Sequence, residues 1–143
     1  MRLALDRARE AALAGEVPVG AVVSRGGEVV AAAANLMRTS NDPTAHAEVA
    51  AIRAAAAALG SSRLDGCDLW VTLEPCAMCA AAIALARIDR LYFGAADPKG
   101  GAVIHGPRIF SQPTCHHAPE VYGGIGEEEA AVLLRDFFRE RRA

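Results

Sequence analysis

Residues 68–86 read Asp68-Leu-Trp-Val-Thr-Leu-Glu-Pro-Cys-Ala-Met-Cys-Ala-Ala-Ala-Ile-Ala-Leu-Ala86. The first six, Asp68 to Leu73, mix aromatic, β-branched and large apolar residues and read as a buried strand. Pro75 follows at a first-turn position, where its missing N–H costs a helix nothing. The alanine-rich run behind it reads as a helix to about Ala86. A strand that passes straight into a helix is the repeating step of a layered α/β domain. This step also carries chemistry. Cys76 and Cys79, three residues apart, share one side of the first helical turn, where free N–H groups stabilise thiolates and lower their pKa.

The same reading extends outward in both directions. Residues 3–14 form a helix whose apolar side is Leu3, Leu5 and Leu13 with alanines, ended by Gly15. Val17 to Ser24 is a strand, and Gly26-Gly27 turns it into a second, Glu28 to Ala33. Asn35 to Thr44 is a polar loop, and Ala45 to Leu59 a helix capped by Thr44 or Asp42 and closed by Gly60. Downstream, Arg90 to Gly94 is a fourth strand, Asp97-Pro98-Lys99-Gly100-Gly101 a break, and Val121-Tyr122 a short fifth strand. Glu127 to Arg142 is a final helix, acidic at its start and basic at its end, the order the helix dipole prefers. Residues 102–118 carry no readable period. The order predicts a three-layer α/β/α fold on a mixed five-stranded sheet. Strands one and two are antiparallel, and the later strands are joined by right-handed helical crossovers.

The length of 143 residues fits one domain over 1–143. With 52% hydrophobic and 22% charged residues the chain is globular rather than disordered. The longest run without a charge is 12 residues, Pro75 to Ala86, short of the ~18–20 that cross a bilayer, so no membrane is expected. No secretory signal is visible. The expected location is cytoplasmic, where the four cysteines serve as ligands or spectators rather than in disulfides. The net charge of −2 gives no general basic footprint for nucleic acid.

A Cys-x-x-Cys pair alone is either redox-active or half of a zinc site. No second pair completes a four-cysteine site, and Cys67 and Cys115 are isolated. His46-Ala47-Glu48, at the mouth of the second helix, offers a third ligand in His46. Two cysteines and a histidine with one position open is the arrangement of a catalytic zinc. Glu48 is then free to carry protons beside a metal-bound water, whose pKa falls from 15.7 to around 7. Glu74 reads as a structural hydrogen-bonding residue, and Cys115-His116-His117 as part of a loop.

His-x-Glu followed by Pro-Cys-x-x-Cys resembles the signature of zinc-dependent nucleoside and nucleobase deaminases. Five longer segments are similar to the bacterial tRNA-specific adenosine deaminases: Glu16 to Val22, Asp42 to Glu48, Val71 to Cys79, Arg87 to Ala95, and Asp136 to Arg139. The likeness spans about residues 2–101 and 126–142; residues 102–125 depart from it. It implies a cytidine-deaminase-like fold, one Zn2+ per subunit held by His46, Cys76 and Cys79, and Glu48 as the catalytic proton carrier. The implied reaction is hydrolytic deamination of adenosine to inosine at the wobble position of a tRNA anticodon stem-loop. Asn35 then contacts the base, Asp97 lies near the RNA backbone, and Phe137 and Phe138 line the substrate groove. The likeness also implies a homodimer. The alternative is a deaminase of a free base or nucleoside, such as guanine, cytosine or cytidine, which shares every catalytic residue.

Overall fold

The structure, a computed structural model, describes residues 1–142. In chain order it contains α1 (Arg2–Leu13), β1 (Gly20–Arg25), β2 (Glu28–Ala34), α2 (Ala47–Leu59), β3 (Cys67–Leu73) and α3 (Ala77–Ala86). It continues with β4 (Arg90–Ala95), a 3-10 turn (Ile109–Ser111), β5 (Glu120–Tyr122) and α4 (Glu127–Arg142). The five strands form one mixed sheet in the order β2-β1-β3-β4-β5. β1 runs antiparallel to β2 and β3, while β4 runs parallel to β3 and β5. Helices α2 and α3 pack on one face and α1 and α4 on the other. The three layers expected from the strand-helix alternation are present, and β3 passes to β4 through α3 as expected. Among the described residues no helix is long and apolar enough to cross a membrane.

The core follows from period. Cys67, Leu69 and Val71 of β3 alternate inward, and with Leu91 and Phe93 they meet Ala51 and Ala55 of α2 and Ala80 and Ile83 of α3. Small residues at four-residue spacing let α2 lie close to the sheet. Gly26 and Gly27 both take positive φ, +59° and +81°, the hairpin turn that joins β1 to β2 with the twist the strands need. On the opposite face α1 lies almost in contact with β1. A Cβ at Gly20 would sit 2.0 Å from the Ala4 carbonyl oxygen and 2.7 Å from the Ala8 nitrogen.

Four local expectations are corrected. Leu13 is 91% exposed. The buried side of α1 is Ala4, Leu5, Ala8 and Ala11, and a residue two beyond Ala11 lies across the helix from it. The first strand starts at Gly20, not Val17, because Pro18 cannot donate to a central strand and Val17 to Val19 close a tight turn (N–H to O 2.8 Å). Helix α2 starts at Ala47, and neither Thr44 nor Asp42 caps it. The Asp42 carboxylate accepts instead from the Thr44 N–H (2.8 Å) and hydroxyl (2.7 Å), and His46 is the N-cap. The link from β4 to β5 carries no α-helix, only the 3-10 turn. Pro98, Pro107 and Pro113 with Gly100, Gly101 and Gly106 break any helical run there. The three-residue β5 is held by a ladder of rings: Trp70 stacks on Tyr92 at 3.9 Å, and Tyr92 on Tyr122 at 5.1 Å, each at a paired strand position.

Gly20→Ala should therefore cost roughly 3 kcal/mol, at the upper end for overpacking, because both clashing atoms are backbone. Urea denaturation measures it. A loss below about 0.5 kcal/mol, the usual range of a neutral surface change, contradicts this close approach of α1 to β1.

Candidate active site

Topology brings five chain segments to one edge of the sheet. β2, β3 and β4 end there and β1, running the other way, begins there. The carboxyl ends of parallel strands are where ligands bind in open α/β sheets. The residues at and just outside these ends line a cavity of about 220 Å3: Val17 and Val19 before β1, Asn35 and Met37 after β2, Leu73 at the end of β3 with Glu74 and Cys76 after it, and Asp97 and Gly100 after β4. The first turn of α2 completes it with His46, Ala47 and Glu48.

Two helix starts aim at this cavity. His46 is the N-cap of α2 and Cys76 the N-cap of α3. Both have extended backbone, and neither side chain caps its own helix. Each is thereby free to project beyond the helix end. His46 Nδ1 lies 3.6 Å from Cys76 Sγ and 3.4 Å from Cys79 Sγ. The three donor atoms all fall within 4.8 Å of one another, the one such group among the described residues. Zinc bonds of roughly 2.3 Å to sulfur and 2.1 Å to nitrogen, at a tetrahedral angle, put the two atoms about 3.6 Å apart. The observed separations fit that edge, and soft thiolates with an imidazole suit zinc among the common divalent ions. Three protein donors leave one tetrahedral position for water or substrate.

The charges are arranged accordingly. Burial raises Glu48 from its ordinary 4.5 to about 7, with the Cys76 sulfur adding to the effect. A carboxyl near neutrality is matched to accepting and returning protons. The hydrogen bond from the Cys79 thiol brings Cys76 down to about 5. Cys79 moves the other way, because it gives that hydrogen bond and is buried. The pair thus keeps one proton until a metal displaces it.

The other candidate residues divide. Asn35 and Asp97 line the cavity. Phe138, 46% exposed, lines a second opening of about 860 Å3 beside it, whereas Phe137 is 7% exposed and turned into the protein. The reading of Phe137 as a groove-lining ring is therefore corrected: it stands edge-on to Phe138 (5.4 Å) and under Arg141 (4.2 Å). The second opening also takes in Lys99, Arg135, Arg141 and Arg142. Lys99, the single lysine of the chain, reads in the sequence only as part of a break, and no site role is legible there for Val17, Leu73 or Met37. Cys115 donates to the His117 carbonyl (3.1 Å) and the His117 ring N–H to the Ile88 carbonyl (2.7 Å). This matches the reading of that segment as a loop.

Glu74 accepts the N–H groups of Asp97, Val103, Ile104 and His105, and His105 Nδ1 lies 2.8 Å from it. Burial alone would raise its pKa, but these bonds hold it below the ordinary value.

Glu48 generates a prediction about pH. A carboxyl whose pKa rises on folding holds its proton more tightly in the folded state. Its cost is absent below about pH 4.5 and complete above about pH 7. In metal-free protein, Glu48→Gln should gain up to roughly 3 kcal/mol over the original chain at pH 8 and nothing at pH 4. Denaturant titrations at the two pH values measure the difference; equal gains at both contradict the burial of an ionisable Glu48.

Known proteins agree with this geometry. A family profile described as MafB19-like deaminase matches residues 1–142. The tRNA-specific adenosine deaminase of Agrobacterium fabrum is 63% identical over 142 residues, 99% of this chain and 93% of that protein. A solved tRNA:A34 deaminase, studied for A-to-I editing at the wobble position, superposes with a TM-score of 0.93 at 62% identity, covering 94% of this chain and 97% of that one. The guanine deaminase of Bacillus subtilis is more distant, at TM-score 0.67 and 33% identity over 99% of this chain and 91% of that one. With the deaminase profile spanning 1–142 and the wobble-editing enzymes matching at almost twice the identity of the guanine enzyme, the chain belongs to the MafB19-like deaminase family, among the tRNA-specific adenosine deaminases.

Proposed function

We propose that this chain hydrolyses adenosine to inosine at the wobble position of a tRNA anticodon, with water consumed and ammonia released. The carrying observation is the basic, aromatic-lined opening beside the cavity. It shares Val17, Leu73, Asp97 and Gly100 with the cavity and adds Lys99, Arg135, Phe138, Arg141 and Arg142. A free base has no use for such an annex. A strand does: cations follow its phosphates and an exposed ring stacks a base, while the target base flips into the cavity.

His46, Cys76 and Cys79 would hold a Zn2+, one per subunit. When bound, it supplies a Lewis acid that lowers the pKa of a coordinated water to around 7. Glu48, buried and poised near neutrality, takes the proton of the attacking water and delivers it to N1 of the purine. It then assists protonation of the departing amine. Asn35 sits on the cavity wall where it can orient the base. Asp97 borders both openings, at the point where the strand turns into the cavity. The walls and helix starts that surround Glu48 keep bulk water from its carboxylate.

The chain works as one domain over 1–143, as a homodimer, in the cytoplasm with its tRNA. Support for the dimer comes from the outer face of α3. There Leu85 is 79% exposed beside Ala81 and Ala84, in a groove of about 310 Å3 with Ile109. A second copy that covers this face removes a large apolar side chain from water, about 1.5–3 kcal/mol for a leucine. The four unpaired cysteines suit a reducing compartment. The guanine deaminase likeness keeps one competing substrate in view, a free base.

Incubation of zinc-loaded protein with an anticodon stem-loop should yield inosine at the wobble position. Glu48→Ala should cut the rate by about 10³-fold, within the range for a lost general acid–base, with zinc content unchanged. Ammonia release from adenine, guanine, cytosine and cytidine should stay at background. An unedited stem-loop together with turnover of a free base replaces this reading with the base-deaminase one. For the interface, Leu85→Asp should convert the dimer to monomer in sedimentation; a variant that stays dimeric moves the interface elsewhere.

A further inference from the structure

Two walls of the cavity belong to neither helix nor strand. One is residues 35–39, which carries Asn35 and Met37; the other is residues 97–105, which carries Asp97 and Gly100. Each wall is tied down by one buried carboxylate at the same sheet edge: Glu16, just before β1, and Glu74, just after β3.

Glu74 gathers five donor contacts. Its Oε1 accepts from the Asp97 N–H (2.9 Å) and meets His105 Nδ1 (2.8 Å). Its Oε2 accepts the consecutive N–H groups of Val103 (3.1 Å), Ile104 (3.0 Å) and His105 (3.2 Å). Glu16 gathers three: the Arg38 N–H (3.1 Å) on Oε1, and the Thr39 N–H (2.6 Å) and hydroxyl (2.7 Å) on Oε2. An ionised carboxylate is acceptor-only on both oxygens, whereas a glutamine turns one side into a donor. In either amide orientation, glutamine at 74 sets an NH2 against at least one backbone N–H that now has an acceptor. Nor is there slack in the wall. A Cβ at Gly101 would lie 2.5 Å from both the Glu74 carboxyl carbon and the Asp97 carbonyl oxygen.

The substrate-facing groups inherit this placement. Asp97 is held by Glu74 through its N–H, and its own Oδ1 accepts from the Lys99 (3.2 Å) and Gly100 (3.0 Å) N–H groups. Asn35 is fixed through its own wall, donating to the Val17 carbonyl (3.3 Å) and accepting from the Met37 N–H (3.3 Å). A shift of either wall therefore moves a candidate substrate contact while the His46, Cys76 and Cys79 donors stay on their helix starts. We propose that Glu16 and Glu74 are positioning residues, fixed hydrogen-bond acceptors that set the two cavity walls and through them the binding of the strand. This deepens the RNA-editing reading above and rests on it.

The test uses the zinc-loaded full chain and steady-state editing of the stem-loop. Glu74→Gln and Glu16→Gln should each raise KM roughly 10-fold or more, the scale of a small misplacement. Each should lower kcat less than about 3-fold, the pattern of lost binding rather than lost chemistry. In an Asp97→Ala background Glu74→Gln should raise KM clearly less than it does alone, because the Asp97 side chain that it positions is gone, while Glu16→Gln should keep its full effect. An unchanged KM in either folded variant overturns the proposal, as does full additivity of Glu74→Gln with Asp97→Ala. If Glu74→Gln does not fold, Glu16→Gln against Asn35→Ala carries the same comparison. If neither folds, the carboxylates hold the fold rather than the walls, and the proposal fails. Should the original chain edit no RNA but turn over a free base, the RNA reading fails, and the KM split is read on that base.

Discussion

Three donor atoms from two different helix starts must come within 4.8 Å of one another, and much of the architecture serves that convergence. The N-cap position is one that Ser, Thr, Asn or Asp usually fills, because their side chains satisfy a free N–H of the first turn, worth about 1 kcal/mol. Here His46 and Cys76 occupy the two N-caps and neither bonds to its own helix. The stabilisation is forgone so that ring and thiol can reach outward. The convergence also needs α2 and α3 side by side on one face of the sheet. It is met by running β3 parallel to β4 with α3 between them, and by returning the chain from β2 to α2 along the same edge.

Polar groups gathered at such an edge are costly to bury unless each finds a partner. Among the described residues no buried side-chain nitrogen or oxygen lacks one. Glu16 and Glu74 meet the requirement by collecting N–H groups from loops. Glu48 differs in kind. Burial dominates its surroundings and holds its pKa near neutrality, so it is a destabilised carboxylate above that pH. A buried carboxyl whose surroundings shift it this way is a common signature of a functional position. The contrast between the pinned glutamates and the poised one divides framework from chemistry within a few residues of the same cavity.

The periodic parts of this molecule were legible in the sequence. The alternation in β3, the Pro75 start of α3 and the Gly26-Gly27 turn each act over a few residues, and each stands within a residue or two of its predicted place. The Cys-x-x-Cys spacing was legible too, because one helical turn brings its two members together. What was not legible depends on contacts distant in the chain. Glu74 meets Asp97 and residues 103–105 across 23 to 31 positions, and although Asp97 to Gly101 reads as a break, nothing in residues 97–105 alone announces that the break is a cavity wall. Leu13 misled because hydrophobicity was counted without its angle about the helix. Phe137 misled because adjacent helical residues point about 100° apart, and here that turn leaves Phe138 on the groove and Phe137 buried.

An overall charge of −2 and an RNA substrate are compatible because the charges are sorted along α4. Its first turn holds Glu127, Glu128 and Glu129, and its last holds Arg139, Arg141 and Arg142. Glu129 is engaged by Arg2 (2.6 Å) and by Arg9 of α1, so part of the acidic charge ties two helices together rather than facing solvent. From Glu129 to Arg141 is about 18 Å along the helix at 1.5 Å per residue. That is more than two screening lengths at physiological salt, roughly 8 Å each. A strand at the far end of the groove therefore feels Arg141 and Arg142 and little of the acidic turn. Phe137 contributes from beneath, its ring supporting Arg141 at 4.2 Å and Phe138 edge-on. The buried ring that does not face the groove thus fixes the cation and the ring that do, and a local field of this kind requires no basic average.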